Sequence, residues 1–286
     1  MIERQRILLM FVDRSAGPVP KTNLMKMLFL LREEKPESIG SSFYEFVPYK
    51  YGPFSFQAYR EISALESSGF LEANELKIPS LVLKRAREEI RKLPERAIHG
   101  VESILYRYRG VPLEHLLDDV YDRFPWYASR SELRPREFES EANPVVYTVG
   151  YEGRTIDGLL DHLLRSGIQR LIDVRKNAMS RKYGFSGKTI KQLCANVDIE
   201  YVHVPSLGIP SSLREDLSSP EAYQRLFDLY ESDIIPGVTT SISDVAELCS
   251  EKPSALMCYE ATSDMCHRGR LASYVAKESS LQVKHL

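Results

Sequence analysis

Five short apolar runs in the second half of the chain, each alternating with a helical pattern, leave few folds open. Residues 144–149, 171–174, 201–204 and 255–258 are β-rich, and 281–285 adds a fifth, shorter run. Thr155 is placed to cap a helix whose apolar residues are Ile156, Leu159, Leu160 and Leu163, and Gly167 ends it. Phe185-Ser186-Gly187 precedes a second helix that turns Ile190, Leu193 and Val197 inward. Further helical patterns cover 220–230, the segment around 245–249, and Cys266 to about Lys277. Strands alternating with helices require right-handed crossovers, hence a Rossmann-like parallel sheet covered on both faces.

In such a sheet every strand ends on the same edge, where ligands bind. Each run here is followed at once by ionisable residues. Tyr151 and Glu152 follow the first, Asp173 and Arg175 close the second, His203 lies in the third, and Glu260 to Arg268 follow the fourth. Glu152, Asp173 and Glu260 are candidate catalytic carboxylates. Placed together, one would keep its proton as general acid while another served as base or nucleophile, as the cleavage of a glycosidic bond to a base requires. Cys266 is a candidate nucleophile, because a helix N-terminus and the neighbouring Arg268 both favour a thiolate. Arg175 and Arg268 suit a phosphate through bidentate guanidinium contacts. Tyr151, Phe185 and Tyr259 offer rings for a base, and Ser180, His203 and His267 complete the expected substrate contacts.

Blander roles stand beside these. Asp173 can pair with an arginine, Cys266 can be a small buried cap, and Cys194, Cys249 and Cys258 sit where core residues belong. A metal site of Cys258, Cys266, His267 and His203 has suitable donors. Cys266 and His267 are adjacent, however, which argues against both reaching one ion, so neither a metal nor another cofactor is expected. The chain carries neither a P-loop nor a GxGxxG fingerprint.

The formal net charge of −2 gives no bulk argument for nucleic acid or membrane, so any nucleic-acid contact must come from local patches. No zinc-ribbon spacing or CxxC pair occurs among the four cysteines, and no apolar run approaches the ~20 residues of a membrane span. Charged residues at Glu3, Arg4 and Arg6 break any signal peptide. The expectation is a cytoplasmic protein with free thiols and no membrane partner.

The first half reads differently. Helical stripes occupy 2–12 and 21–31, an aromatic run at 43–49 looks like a strand, and Ser55 can cap a helix that ends at Gly69. Residues 70–83 then read as a β-hairpin with its tip at 72–74. Three helices followed by a hairpin give a winged-helix-like order. Residues 84–108 read as a solvated helix, and 112–124 as a helix with Leu113, Leu116, Leu117 and Val120 on one face. Lys50, Gln57 and Arg60 would face nucleic acid, although Glu61 and Glu66 weaken that surface. The polar segment 131–143 is read as a linker between domains at 1–130 and 144–286.

Two resemblances sharpen these readings. FVPYKYGPFSFQAYREISALESSGFL and the later DDVYDRFPWY resemble the Panacea (SocA-like) domain of antitoxins and phage-associated proteins, which implies a helical partner-binding module without catalytic residues. TVGYEGR, LIDVR, FSGKTIKQL, YVHVPSLG and MCYE with CHR resemble, in order, the family catalogued as domain of unknown function 488. That resemblance implies an α/β domain with these motifs lining one cleft. The function expected from the sequence is an enzyme of the hydrolase, glycosidase or base-processing type acting on a nucleotide, nucleic acid or modified base. Its N-terminal module would recruit DNA or a protein partner, as a phage-defence protein would. The alternative is a non-catalytic, DNA-binding or antitoxin-like regulator whose α/β half senses a ligand.

Overall fold

The computed structural model describes residues 1–15, 17–73, 76–134, 142–214 and 219–286. They form two compact units, Met1–Phe138 and Glu139–Leu286. Residues 135–141 of the expected linker and Asn74 of the expected hairpin tip lie outside the described residues.

The first unit is helical. α1 (Glu3–Arg14) and α2 (Lys21–Glu34) precede a two-stranded hairpin, β1 (Val47–Tyr49) and β2 (Gly52–Phe54). α3 (Phe56–Ser67), α4 (Leu83–Ile90), α5 (Glu95–Tyr108) and α6 (Leu113–Arg123) follow. The hairpin turns at Lys50-Tyr51 because Gly52 adopts φ 87°, a left-handed value open to glycine. Ser55 caps α3 as its sequence implies, accepting from the Ala58 N–H at 3.1 Å.

Two expectations for this unit are corrected. Residues 70–83 make no pair of strands among those described: Val19 and Leu76 form a single bridge, residues 80–82 make one 3-10 turn, and α4 begins. Pro79 has no N–H to give a ladder, which ends strand pairing there. Residues 84–108 are two helices, because Pro94 cannot continue the first. The second of them is a core element, burying Ala97, Val101, Ile104, Leu105 and Tyr108.

The second unit is the expected parallel α/β layer. Its elements run β3 (Val146–Gly150), α7 (Ile156–Arg165), β4 (Arg170–Asp173), α8 (Gly187–Ala195), β5 (Glu200–His203), α9 (Pro220–Leu229), α10 (Thr239–Glu251), β6 (Ser254–Cys258), α11 (His267–Ser279) and β7 (Val283–His285). Thr155 caps α7 by accepting from the Gly158 N–H at 3.0 Å. The five strands are parallel in the order β5-β4-β6-β3-β7. β6 therefore enters last but one and inserts between β3 and β4.

That insertion positions the site. Right-handed crossovers put α7 and α8 on one face and α9 to α11 on the other. One core cluster accordingly joins Val146, Ile172 and Leu256 of the strands to Leu226, Val245, Leu271 and Val275 of the latter helices. The chain leaves β3 and β4 toward one face and leaves β6 toward the other. The carboxyl end of β6 is thus flanked on both sides by connections that diverge, which is where open α/β sheets form a crevice. No helix among the described residues is long and apolar enough to cross a membrane.

Candidate functional site

β6 is fully buried, and Gly150 and Cys258 lie side by side at the ends of β3 and β6. A Cβ built on Gly150 would collide with the Glu260 carbonyl oxygen, so only glycine lets the loop after β6 fold over the end of β3. Glu152 pins that loop from the other strand: its Oε2 accepts from the Ala261 N–H at 3.0 Å, and its own N–H donates to the Tyr259 carbonyl at 2.8 Å. From inside, Arg268 donates to the carbonyls of Glu260 and Ala261, the latter at 2.9 Å.

A second network grows from β4. Asp173, wholly buried, accepts from Arg175 Nε at 2.8 Å, from the Arg175 backbone N–H at 3.1 Å and from Tyr201 Oη at 2.6 Å. Arg175 also donates to Tyr151 Oη at 2.9 Å and to the Phe185 carbonyl at 3.0 Å. Burial works against its charge, but the hydrogen bond and field of Asp173 outweigh burial and hold the guanidinium above its ordinary pKa. Tyr151 stacks on Phe185 with centroids 4.2 Å apart, while Tyr259, at right angles to Tyr151, is 45% exposed. His203 Nε2 hydrogen-bonds the Arg175 carbonyl at 2.9 Å. Ser180 lies beside the Tyr151 hydroxyl.

The third group is Cys258, Cys266 and His267, all buried and with ligand-type atoms within 4.8 Å of one another. Sγ of Cys258 lies 3.7 Å from His267 Nδ1, and Sγ of Cys266 lies 3.9 Å from it. Nε2 of His267 faces the Val174 carbonyl at 3.2 Å, and Tyr230 packs edge-on against the imidazole. Glu260 Oε2 accepts from Cys258 Sγ at 3.4 Å, and Glu260 Oε1 is 3.6 Å from Arg214.

The strand ends therefore bring Glu152, Asp173, Arg175, His203, Glu260, Cys266, His267 and Arg268 to one edge. Burial and hydrogen bonding bear on several of the expected roles. Arg268 is 1% exposed and Arg175 6%; loop carbonyls take two donors of the first and Asp173 pairs with the second, while Arg268 Nε has no partner among the described residues. Phe185 and Tyr151 are buried against each other and offer no open ring. Asp173 is locked in an ion pair. Burial and the neighbouring Cys258 push the Cys266 thiol well above the ordinary thiol value, more than His267 offsets. Glu260 runs the other way. Burial raises its pKa, but a Cys266 hydrogen bond, its own backbone N–H, Arg214 and His267 together bring it below the usual carboxylate value. At neutral pH it is a base, nucleophile or ligand, not an acid.

Sequence reasoning missed Tyr201, Tyr230 and Arg214. Tyr201 had a signal, because it stands two residues before His203 and strand alternation puts both on the Asp173 face. The other two had none.

These features define an α/β module whose inserted strand carries a polar centre at the switch of its sheet. The chain matches the family model described as domain of unknown function DUF488 over residues 155–275, within this module and starting just after Tyr151 and Glu152. No curated protein matches the chain significantly.

Proposed function

We propose that the α/β unit is an enzyme of the hydrolase or base-processing type, acting on a nucleotide, a nucleic acid or a modified base within one. In this reading the helical unit recruits the nucleic acid or a protein partner, and the protein works in the reducing cytoplasm. The observation that carries the reading is Glu260, an ionised, half-buried carboxylate beside Cys258 and within 3.6 Å of Arg214 at the carboxyl end of the inserted strand. Glu260 acts as general base or nucleophile. The exposed ring of Tyr259 stacks on the base, and Arg214, with Lys176 and Arg181 from the loop after β4, meets phosphate. Asp173, Arg175, Glu152 and Arg268 hold these groups in place.

The test is incubation of the full chain with nucleotides and with unmodified and modified DNA, followed by mass spectrometry of released base, nucleoside or phosphate. Glu260→Gln should lower product formation by about 10²–10⁴-fold at an unchanged melting temperature. Product formed equally by that variant removes Glu260 from the chemistry.

One observation favours a second reading, a non-catalytic ligand sensor. Arg175 and Asp173 are spent on internal bonds, and Arg268 gives two donors to loop carbonyls, as a rigid recognition scaffold would. Saturable binding of a nucleotide or DNA that Tyr259→Ala weakens, with no product from any substrate, selects this reading.

A further inference from the structure

We propose that Cys258, Cys266 and His267 bind a divalent zinc ion, with its fourth position open on the side of Glu260. Zinc holds thiolate sulfur at about 2.3 Å and imidazole nitrogen at about 2.0–2.1 Å, so tetrahedral geometry places sulfur roughly 3.5–3.6 Å from nitrogen. The two separations here, 3.7 and 3.9 Å, are close to that spacing, and Glu260 Oε2 lies 3.4 Å from Cys258 Sγ, beside the three donors but outside their group.

The adjacency of Cys266 and His267 is no obstacle. Cys266 is extended, at φ −138° and ψ 135°, and His267 is the first helical residue, so the change of conformation between them turns both side chains inward.

Hydrogen-bond accounting points the same way. The Val174 carbonyl can only accept, so His267 Nε2 carries the ring proton and Nδ1 presents a single lone pair. Two thiols converge on that lone pair, and one of them is also shared with Glu260. Without a metal, one thiol proton can go to Nδ1 and the other to Glu260, which leaves the 3.7 Å approach of Cys258 to Nδ1 unaccounted for; a cation between the three atoms accounts for both approaches. The Val174 bond is also the outer-shell contact that orients a metal-binding histidine. Two thiolates neutralise the zinc dication, and Glu260 adds one negative charge beside it. The N-terminus of α11, Arg268 and Arg214 complement it.

The proposal does not depend on the reaction above, because metal binding is read without substrate. The full chain, stripped with chelator and repleted, should take up about one equivalent of zinc by elemental analysis. Cobalt(II) should give thiolate-to-metal charge-transfer absorption and tetrahedral ligand-field bands. Cys258→Ser, Cys266→Ser and His267→Ala should each weaken binding by more than 100-fold, while Cys194→Ser and Cys249→Ser leave it unchanged. Glu260→Gln should weaken it by no more than about tenfold, which separates loss of metal from loss of the carboxylate's chemistry. Should a cysteine variant fail to fold, the wild type decides: one equivalent of zinc should abolish the cobalt(II) charge-transfer bands. Absence of cobalt charge-transfer bands, or retention of metal by both cysteine variants, overturns the site.

Discussion

The carboxylate of Asp173 accepts from both the backbone N–H and the Nε of Arg175, only two residues further along the chain, at 3.1 and 2.8 Å. A strand end that turns back on itself in this way makes the pair a brace for the sheet edge, with Tyr151, Phe185 and Tyr201 completing its bonds. Removing either partner strands a buried charge. Asp173→Ala and Arg175→Ala should each destabilise the protein by about 3–5 kcal/mol. The double variant should lose less than the sum, because the second substitution removes the stranded charge. Denaturant titrations of the three variants check this; additive losses would show that the pair is not coupled.

Arg268 stands in the same relation to the loop after β6. Its guanidinium reaches the carbonyls of Glu260 and Ala261 from within, and a lysine can reach only one of them at a time. Arg268→Ala should therefore raise amide hydrogen exchange across residues 259–265, and Arg268→Lys should give an intermediate rise. If exchange in that loop is the same in all three proteins, Arg268 does not hold it.

Much of this architecture is legible in the sequence, because period-two and 3.6-residue patterns report local structure directly. The five strands of the sheet and the helices between them follow from such patterns, as do the caps at Ser55 and Thr155. The gathering of charged groups at one edge follows from strands being parallel. The order of the strands does not, since no local pattern places β6 between β3 and β4. Direction is the other gap. Arg175 and Arg268 read as ligand clamps because they are arginines in polar loops, but their partners are an aspartate two residues away and two carbonyls that only the folded loop presents. Of the four donors the sequence offers, Cys258, Cys266 and His267 come together while His203 bonds the Arg175 carbonyl, and the conformational break at Cys266 removes the objection from adjacency.

Gly150 tests how closely the loop depends on β3. A methyl group there would overlap the Glu260 carbonyl oxygen, which is backbone and cannot swing aside as a side-chain tip would. Gly150→Ala should cost about 3 kcal/mol, the upper end of overpacking penalties. It should also displace the Glu260 carboxylate, so any ligand or metal response of the site should weaken with it. Calorimetric melting and a cobalt titration on the same variant measure both. A melting temperature equal to that of the wild type would mean that the loop yields freely.

In the helical unit, Lys26 is buried among apolar side chains of α2, with its Nζ donating to the Pro53 carbonyl at 2.8 Å. Burial lowers its pKa from 10.5 to about 7. Between pH 7 and 10.5 the unfolded chain holds a proton that the folded chain does not, so stability from this group rises with pH through that window. At about 1.4 kcal/mol per pH unit the full span is about 5 kcal/mol, and below pH 7 the whole penalty is present. The buried thiols Cys194 and Cys249, each pushed up to about 12 by burial, oppose this trend, because the unfolded chain ionises them first. The difference between wild type and Lys26→Met cancels that contribution. The substitution should raise the denaturation midpoint at pH 7, and the gain should shrink steadily toward pH 10. An equal gain at both pH values would mean that Lys26 stays charged in the folded protein.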